Sequence, residues 1–311
     1  MRCLLIGGAG FIGSNIIRHL LEKPKEDNLF VLEPDFAPTH RLDNLNVTLY
    51  KGEISNLDLV KSIIIDNNID TVIHLVSSLI PGSNFDDYQR EFTNIIFPSI
   101  RLMELCCERN IKFVYFSSGG TIYGDKKGEI SPFKESDPMA PISYYGWSKQ
   151  MMENSILYMH RTQKLRYLII RPSNPYGKGQ NLHGKQGLIA VALGKIMAGE
   201  SIQIWGDGNA VRDYIYIDDL GKAIVDLVSN ESIVNETINV GSGEGYSINE
   251  IVEIIRSVVK ERVMVDYLDA RRVDVSSVVL DITKLKSLIS FRPRDIKEGI
   301  SMFYQDVNNV Q

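Results

Sequence analysis

Apolar residues are distributed along the first half of this chain in two alternating rhythms. Short β-branched runs at 2–6, 29–33, 47–50, 71–75, 112–116 and 165–170 are each followed by turn residues or by a helical stretch. The helical stretches, at 11–21, 57–67, 85–109 and 144–161, carry apolar residues at spacings of three and four. A strand that is apolar at nearly every position has no face to offer water, so it belongs inside a sheet covered on both sides, and the alternation with helices predicts βαβ units. Six such strands predict an α/β fold built on a doubly wound parallel sheet. The regularity ends after Arg171, where Pro172, Pro175, Gly177, Gly179, Gly184 and Gly187 crowd one segment. The expected division is therefore a sheet domain over 1–171 and a smaller mixed α/β domain over 172–311, with strand-like 237–240 and helix-like 218–228 returning to the main sheet. Internal repeats and low-complexity tracts are absent from the pattern.

A chain of 311 residues suits one large domain with a smaller companion. With 44% hydrophobic and 23% charged residues, it has the composition of a globular core rather than of a disordered or membrane chain. A net charge of -5 and a pI near 5.6 disfavour a broad surface for nucleic acid or anionic lipid, so neither is expected as a partner. Cys3, Cys106 and Cys107 show no metal-ligand or disulfide spacing, which suits a reducing compartment and leaves no metal site expected. The apolar start breaks at glycine too early for a leader, and no run reaches the roughly 18 residues of a membrane span, so a cytoplasmic location is expected.

The first strand runs into GGAGFIG, residues 7–13, which sets Gly7, Gly10 and Gly13 at GxxGxxG spacing where a helix begins. One glycine permits the tight turn, one lets backbone N–H groups approach a pyrophosphate, and Gly13 allows close helix-to-strand packing. The helix N-terminus adds partial positive charge. Alone, such a triplet describes only a turn. The second strand supplies the rest: it ends at Glu33, 20 residues past Gly13, where a carboxylate accepts hydrogen bonds from adenosine ribose hydroxyls and repels a 2′-phosphate. NAD is favoured over NADP on this ground. Asp35 competes for the role, and the strand-end position favours Glu33. Glu53, in Gly52-Glu53-Ile54 after the third strand, is placed to meet the adenine amino group, with a surface carboxylate as the alternative.

Tyr145 and Lys149 stand at i and i+4 in YYGWSK, so on a helix they share a face. A free tyrosine ionises near pH 10, and bringing it to neutrality takes roughly 4 kcal/mol, which a neighbouring ammonium and a cationic nicotinamide can supply in a partly desolvated cleft. A Tyr-x-x-x-Lys pair by itself is ordinary on an exposed helix. Here it follows SSGGTIYG, residues 117–124, which closes the fifth strand and puts hydroxyls at the sheet's carboxyl edge, where open α/β folds bind ligands.

With these residues assembled, the chain resembles the extended short-chain dehydrogenase/reductases, and within them the nucleotide-sugar epimerase/dehydratase family of UDP-glucose 4-epimerase type. The match spans nearly the whole chain: GGAGFIG, Glu33, GEI at 52–54, DTVIHL at 70–75, SSGGTIYG, YYGWSK, RPSNPYG at 171–177, VRDYIYIDD at 211–219 and RRVDV at 271–275. The resemblance implies a Rossmann-like fold, NAD as cofactor, and a transient oxidation at sugar C4 reversed on the other face of the ring. It implies that Tyr145 takes the C4 hydroxyl proton while Lys149 holds the nicotinamide ribose. The cofactor site then also takes in Phe11, Ile12, Ile54, Leu75, Val76, Ser77, Asn94, Ser117 and Pro172. The nucleotide-sugar site, a UDP-sugar by preference, takes in Asn174, Leu188, Trp205, Arg212, Arg271, Asp274 and Val278. Arginine forks suit phosphate oxygens, and an aromatic plane stacks on a base at about 1–3 kcal/mol. A core aromatic and a salt bridge to Asp213 or Asp218 are the plain alternatives for Trp205 and Arg212.

The sequence departs from the family pattern at Gly119, where many relatives place the Ser or Thr that assists the tyrosine. Thr121 or Ser118 must substitute, and Thr121 is preferred because two residues along an extended segment return to the same side. The 4,6-dehydratases carry Asp-Glu at the positions of Gly120 and Thr121, which disfavours dehydration. Leu79 and Ser77 are further departures near the nicotinamide. Val278 stands where some relatives have a tyrosine that narrows the sugar pocket, which leaves room for an N-acetyl group. Three readings follow: an epimerase needing no added reductant, a reductase of a 4-keto-6-deoxy sugar nucleotide, and a non-catalytic nucleotide-binding protein. A homodimer through the helices at 85–109 and 144–161 is expected from the resemblance.

Overall fold

The computed structural model describes residues 1–23, 28–125, 131–184, 186–269 and 275–309. The first half runs β1 (Arg2–Ile6), α1 (Phe11–Leu21), β2 (Asn28–Glu33), β3 (Thr48–Lys51), α2 (Leu57–Asp66) and β4 (Thr71–His74). It continues with α3 (Phe85–Glu91), a π-helical turn at Phe92–Ile96, α4 (Phe97–Arg109), β5 (Lys112–Phe116), α5 (Tyr144–Gln163) and β6 (Arg166–Pro172). The second half holds β7 (Asn174–Tyr176), α6 (Leu188–Met197), β8 (Ile202–Trp205), β9 (Val211–Tyr216), α7 (Ile217–Ser229) and β10 (Glu236–Val240). After these come β11 (Gly245–Ser247), α8 (Ile248–Val258), β12 (Val265–Leu268), β13 (Ser277–Val278), α9 (Thr283–Leu288) and α10 (Ile296–Asn308).

Seven strands form one parallel sheet in the order β3-β2-β1-β4-β5-β6-β10. Each inner strand is buried on both faces. In β1, Cys3 and Leu5 enter one apolar layer while Leu4 and Ile6 enter the other, the period of two that a pleated strand imposes. The chain builds outward from β1 to β3, then returns to place β4 on the other side of β1. Connections after β1 and β4 therefore lead away from each other, and a crevice opens at the carboxyl ends of these two strands. β10 extends the same sheet beyond β6, and α7 packs against α1 on one of its faces.

The remaining strands form smaller sheets. β9 is central to one, pairing with β7 and β13 in parallel and with β11 antiparallel, while β8 and β12 pair apart from it. A third core, built from residues of α6, α8, α10 and β9, lies under this part of the chain. Among the described residues no helix is long and apolar enough to cross a membrane, and no cluster of three or more candidate metal ligands occurs.

Two details of the helices position functional residues. The stretch expected as one helix over 85–109 contains the π turn because Pro98 enters it at the start of α4; a proline ring clashes with the carbonyl four residues back, and the wider turn absorbs the clash. α5 starts where it does because the Ser143 hydroxyl accepts the Gly146 N–H at 3.1 Å, which fixes Tyr145 and Lys149 within its first two turns.

A buried polar network joins α5 to the sheet. Glu153 accepts two hydrogen bonds from Arg171, at 3.0 Å from Nε and 2.6 Å from Nη2, with both side chains almost fully buried. Arg171 also donates to the Tyr123 hydroxyl at 2.8 Å, and that hydroxyl donates to Asn239 of β10 at 2.6 Å. Such a pair is costly to half-remove, because the survivor is left charged and out of water. Glu153→Ala is expected to lower the free energy of unfolding by about 3–5 kcal/mol in urea denaturation, and a loss below about 1 kcal/mol would show that the guanidinium is solvated after all.

Candidate active site

The glycine turn after β1 is shaped by close approach. Gly7 adopts φ +84, and a Cβ there would lie 3.1 Å from the Val76 amide nitrogen at the end of β4. A Cβ on Gly13 would lie 2.6 Å from the Gly8 carbonyl oxygen, so only glycine lets the turn fold down onto α1. Gly10 caps α1 with no side chain of its own, and the first turn of the helix opens onto the crevice.

The crevice has two halves that share Gly7 and Ser77. One, of about 450 Å³, is walled by Gly7, Gly10, Phe11, Ile12, Gly13, Leu75, Ser77, Ser117, Tyr145, Lys149 and Pro172, together with Leu79, Ser118, Ser173, Pro175 and Gln186. The other, of about 460 Å³, is walled by Glu33, Glu53, Ile54, Val76 and Asn94, together with Phe36, Ser78 and Arg90. Every residue expected to meet the cofactor thus lies on one continuous cleft. Phe36, Ser173 and Gln186 are additions that sequence reasoning missed. Phe36 had a signal, an apolar residue isolated in the loop after the acid-bearing strand; it is 83% exposed at the cleft mouth.

Glu33 does more than was expected of it. Its Oε1 accepts the Ala9 N–H at 2.5 Å, so the carboxylate braces the glycine turn as well as facing the cleft. Burial pushes its pKa up, opposed by that N–H and by Lys51. Asp35, the competing acid, is exposed and outside the cleft wall.

Lys149 is buried, and its Nζ donates to the Phe116 carbonyl at 2.9 Å while lying 5.5 Å from the Tyr145 ring centre. Burial pulls its pKa down to about 8, with Glu91 and Glu153 acting in the opposite direction. Burial also pushes the Tyr145 phenol up to about 12, opposed by a hydrogen bond with Ser118 and reinforced by Glu91. Carrying that phenol from about 12 to neutrality takes roughly 7 kcal/mol, more than the 4 reckoned from an unburied tyrosine. Positive charge beside the phenol, from Lys149 and from any cation bound in the cleft, acts toward the base form. The buried hydroxyls of Ser117 and Ser173 have no partner within the described protein and line the same half-cavity. Unspent donors, a glycine cradle and a buried ammonium together fit a dinucleotide with its nicotinamide end beside Tyr145.

The geometry favours Ser118 over Thr121 as the hydroxyl beside Tyr145. Residues 119–121 form a turn, closed by the Ile122 N–H donating to the Ser118 carbonyl at 3.3 Å, so the two-residue alternation of an extended segment does not apply. Thr121 Oγ1 is buried without a partner among the described residues and is not part of the cleft wall, whereas Ser118 and Tyr145 both line it. The glycine at 119 has a physical cause as well. A Cβ there would lie 2.6 Å from Leu280 Cδ1 and 3.0 Å from the Pro172 oxygen, and Leu280 is fully buried.

The residues expected to hold substrate are dispersed. Asn174 donates to the Asp213 carbonyl at 2.8 Å and sits beside Gly120. Arg212 lies on β9, its Nη1 donating to the Val211 carbonyl at 2.8 Å; Trp205, at the end of β8, is 40% exposed, and Leu188 opens α6. Asp213 and Asp218, the suggested partners of Arg212, have other partners: Asp213 accepts from Ser242, Gly243 and Leu280, and Asp218 lies 3.7 Å from both His19 and Arg294 as an ion-pair contact. Val278 is packed in the main core at 2% exposure, which corrects its expected place on an open pocket wall. Arg271 and Asp274 lie outside the described residues. Asp213, fully buried on four donors, was missed by sequence reasoning; it anchors β9 to the segment that carries Leu280.

Sheet order, glycine turn, strand-end acid and the Ser118–Tyr145–Lys149 group define a dinucleotide-dependent enzyme of the extended short-chain dehydrogenase/reductase type. The chain belongs to the NAD dependent epimerase/dehydratase family, whose model matches residues 3–241. Among curated relatives, it is 30% identical to a dTDP-4-dehydro-6-deoxyglucose reductase of Escherichia coli, with 98% of this chain and 96% of that one covered. It is 29% identical to a UDP-glucose 4-epimerase of Lactobacillus helveticus, over 94% and 92% of the two chains. Among solved structures, the UDP-glucose 4-epimerase of Thermotoga maritima with UDP-glucose superposes with a TM-score of 0.92 at 28% identity, covering 100% and 99%.

The packing of Leu280 on Gly119 is open to a double-mutant cycle in urea. Gly119→Ser alone is expected to cost about 1–3 kcal/mol through overpacking, and less than that when Leu280→Ala has already made room. Strictly additive costs would show that this contact is not what excludes a hydroxyl at 119.

Proposed function

We propose that this chain epimerises a UDP-hexose or UDP-N-acetylhexosamine at C4 through a transient 4-keto sugar. The observation that carries the reading is the phenol of Tyr145, on one cleft wall with Ser118 and flanked by the buried Lys149. NAD, when bound, supplies the acceptor for the C4 hydride and gives it back. Tyr145 takes the C4 hydroxyl proton as the C–H bond breaks and returns it on re-reduction, with Ser118 as the hydroxyl between phenol and sugar. Lys149 holds the nicotinamide ribose and keeps positive charge beside the phenolate. Glu33 reads the adenosine ribose, and its charge excludes a 2′-phosphate. Asn174, Leu188, Trp205, Arg212, Arg271 and Asp274 are assigned to the nucleoside diphosphate and sugar. In this reading 1–171 is the cofactor domain and 172–311 the substrate domain, with α7 and β10 lent back to the first.

We further propose a cytoplasmic homodimer joined across α4 and α5, whose outer faces expose Phe97, Trp147 and Tyr158. The relation to the E. coli reductase supports a second reading, reduction of a 4-keto-6-deoxy sugar nucleotide.

One panel separates the two. UDP-, dTDP- and GDP-sugars are incubated with the holoenzyme, and products are read by NMR while absorbance at 340 nm follows reductant. Epimerisation at C4 with no net use of NADH is expected; stoichiometric consumption of reductant would replace this reading with the second. Tyr145→Phe is expected to lower kcat by roughly a hundredfold to ten-thousandfold. Ser118→Ala should cost more activity than Thr121→Val, and the reverse order would return the assisting role to Thr121.

A further inference from the structure

The cleft wall is backed by a buried negative charge that the proton chemistry does not use. Glu91 ends α3, where the π turn begins, and is 3% exposed. Its carboxylate accepts from Ser77 Oγ at 2.8 Å, from the Ser78 N–H at 2.8 Å and from Ser78 Oγ at 2.6 Å. All three donors are neutral, so they solvate the charge without cancelling it. Ser77 lines both halves of the cleft, which puts the carboxylate one side chain behind the wall where they meet. Its charge reaches Tyr145, Lys149 and Tyr115 across the same space.

A ligand lying along this wall meets two buried charges of opposite sign, Lys149 and Glu91. The ammonium disfavours a cationic ring and the carboxylate favours one. Oxidised nicotinamide is cationic and the reduced ring is neutral, so a fixed carboxylate acts on the difference between them, and in a protein interior such a charge counts for far more than in water. We propose that Glu91 is a positioning residue that makes the cleft prefer the oxidised over the reduced dinucleotide. The inference rests on the NAD-dependent epimerase reading, in which the oxidised form is the state where each cycle starts and ends. Ser77 and Ser78, one of them a departure from the family pattern, have their physical role here as the carboxylate's donors.

The test is equilibrium exchange on the full-length holoenzyme. Protein is incubated with NAD+ and NADH in defined ratios, freed of unbound ligand, and the bound fraction of each is read from absorbance at 340 nm and by chromatography. Wild type is expected to retain NAD+ in preference to NADH. Glu91→Gln keeps an acceptor oxygen for Ser78 and removes the charge, and should move the bound ratio toward NADH by about tenfold. Glu91→Asp, which keeps the charge, should stay near wild type. A Gln variant whose two affinities fall together with their ratio unchanged would reduce Glu91 to a structural tie. Should that variant fail to fold, a wild type that takes up NADH at least as readily as NAD+ overturns the proposal by itself. Retention of neither dinucleotide overturns instead the reading of the cleft on which the proposal rests.

Discussion

Keeping the ammonium of Lys149 charged inside protein is the constraint around which the rest of the site is arranged. The side chain is buried, and one carbonyl, that of Phe116, takes one of its three N–H donors. Negative charge must therefore be brought near, and Glu153, one turn further along α5, provides part of it. Glu153 is itself buried, so it needs Arg171; Arg171 has donors to spare and engages Tyr123; Tyr123 passes a hydrogen bond to Asn239 on β10. One buried cation beside the cleft thus accounts for a polar seam through layers that are otherwise apolar. It also gives β10 a task beyond widening the sheet, because Asn239 closes the seam by donating to the Phe133 carbonyl.

The catalytic loop is set from the opposite side by Leu280. Its N–H is held by Asp213 at 3.3 Å, and its side chain fills the place a Cβ would take at Gly119. A hydroxyl cannot occupy position 119 while that leucine is seated. The neighbouring Ser118, the residue before the turn, shares the cleft wall with the tyrosine. What reads in sequence as the loss of a family residue is, in the fold, a glycine fitted to packing from a segment some 160 residues away in the chain. It links the shape of the reacting centre to the part of the molecule expected to hold the sugar.

Legibility followed the physics of each element. Buried parallel strands announce themselves because both faces are apolar, and 2–6 and 112–116 matched β1 and β5 residue for residue. The glycine turn, the acid at 33 and the Tyr145–Lys149 pair were readable because each depends on local backbone geometry or helical spacing. The loop at 119–121 was not, since which hydroxyl faces the cleft depends on a turn closed by the Ile122 N–H and packed against Leu280 from far along the chain. Val278 was misread for a related reason: β13 is two residues long and exists only through pairing with β9, so its burial is decided by contacts far away in sequence. α8 is a contrary case within the same half, carrying its start signal locally in the reciprocal bonds of Ser247 and Glu250. The buried carboxylate of Glu91 gave no signal at all, because a glutamate on an amphipathic helix reads as a solvated face until the sheet places Ser77 and Ser78 over it.

The phenol's rest state follows from the same burial that readies the site. Desolvation pushes the Tyr145 phenol up to about 12, which favours its neutral form. Lys149, pulled to about 8, sits close enough to neutrality that its charge too depends on what lies beside it. In the proposed mechanism a positive charge beside them in the cleft is what makes the base form accessible. An exposed Tyr–Lys pair would be less demanding to ionise and would be open to solvent at all times. Burial thus sets the direction for both groups, and the nearby carboxylates modulate it: Glu91 and Glu153 oppose its effect on Lys149, and Glu91 adds to it on Tyr145.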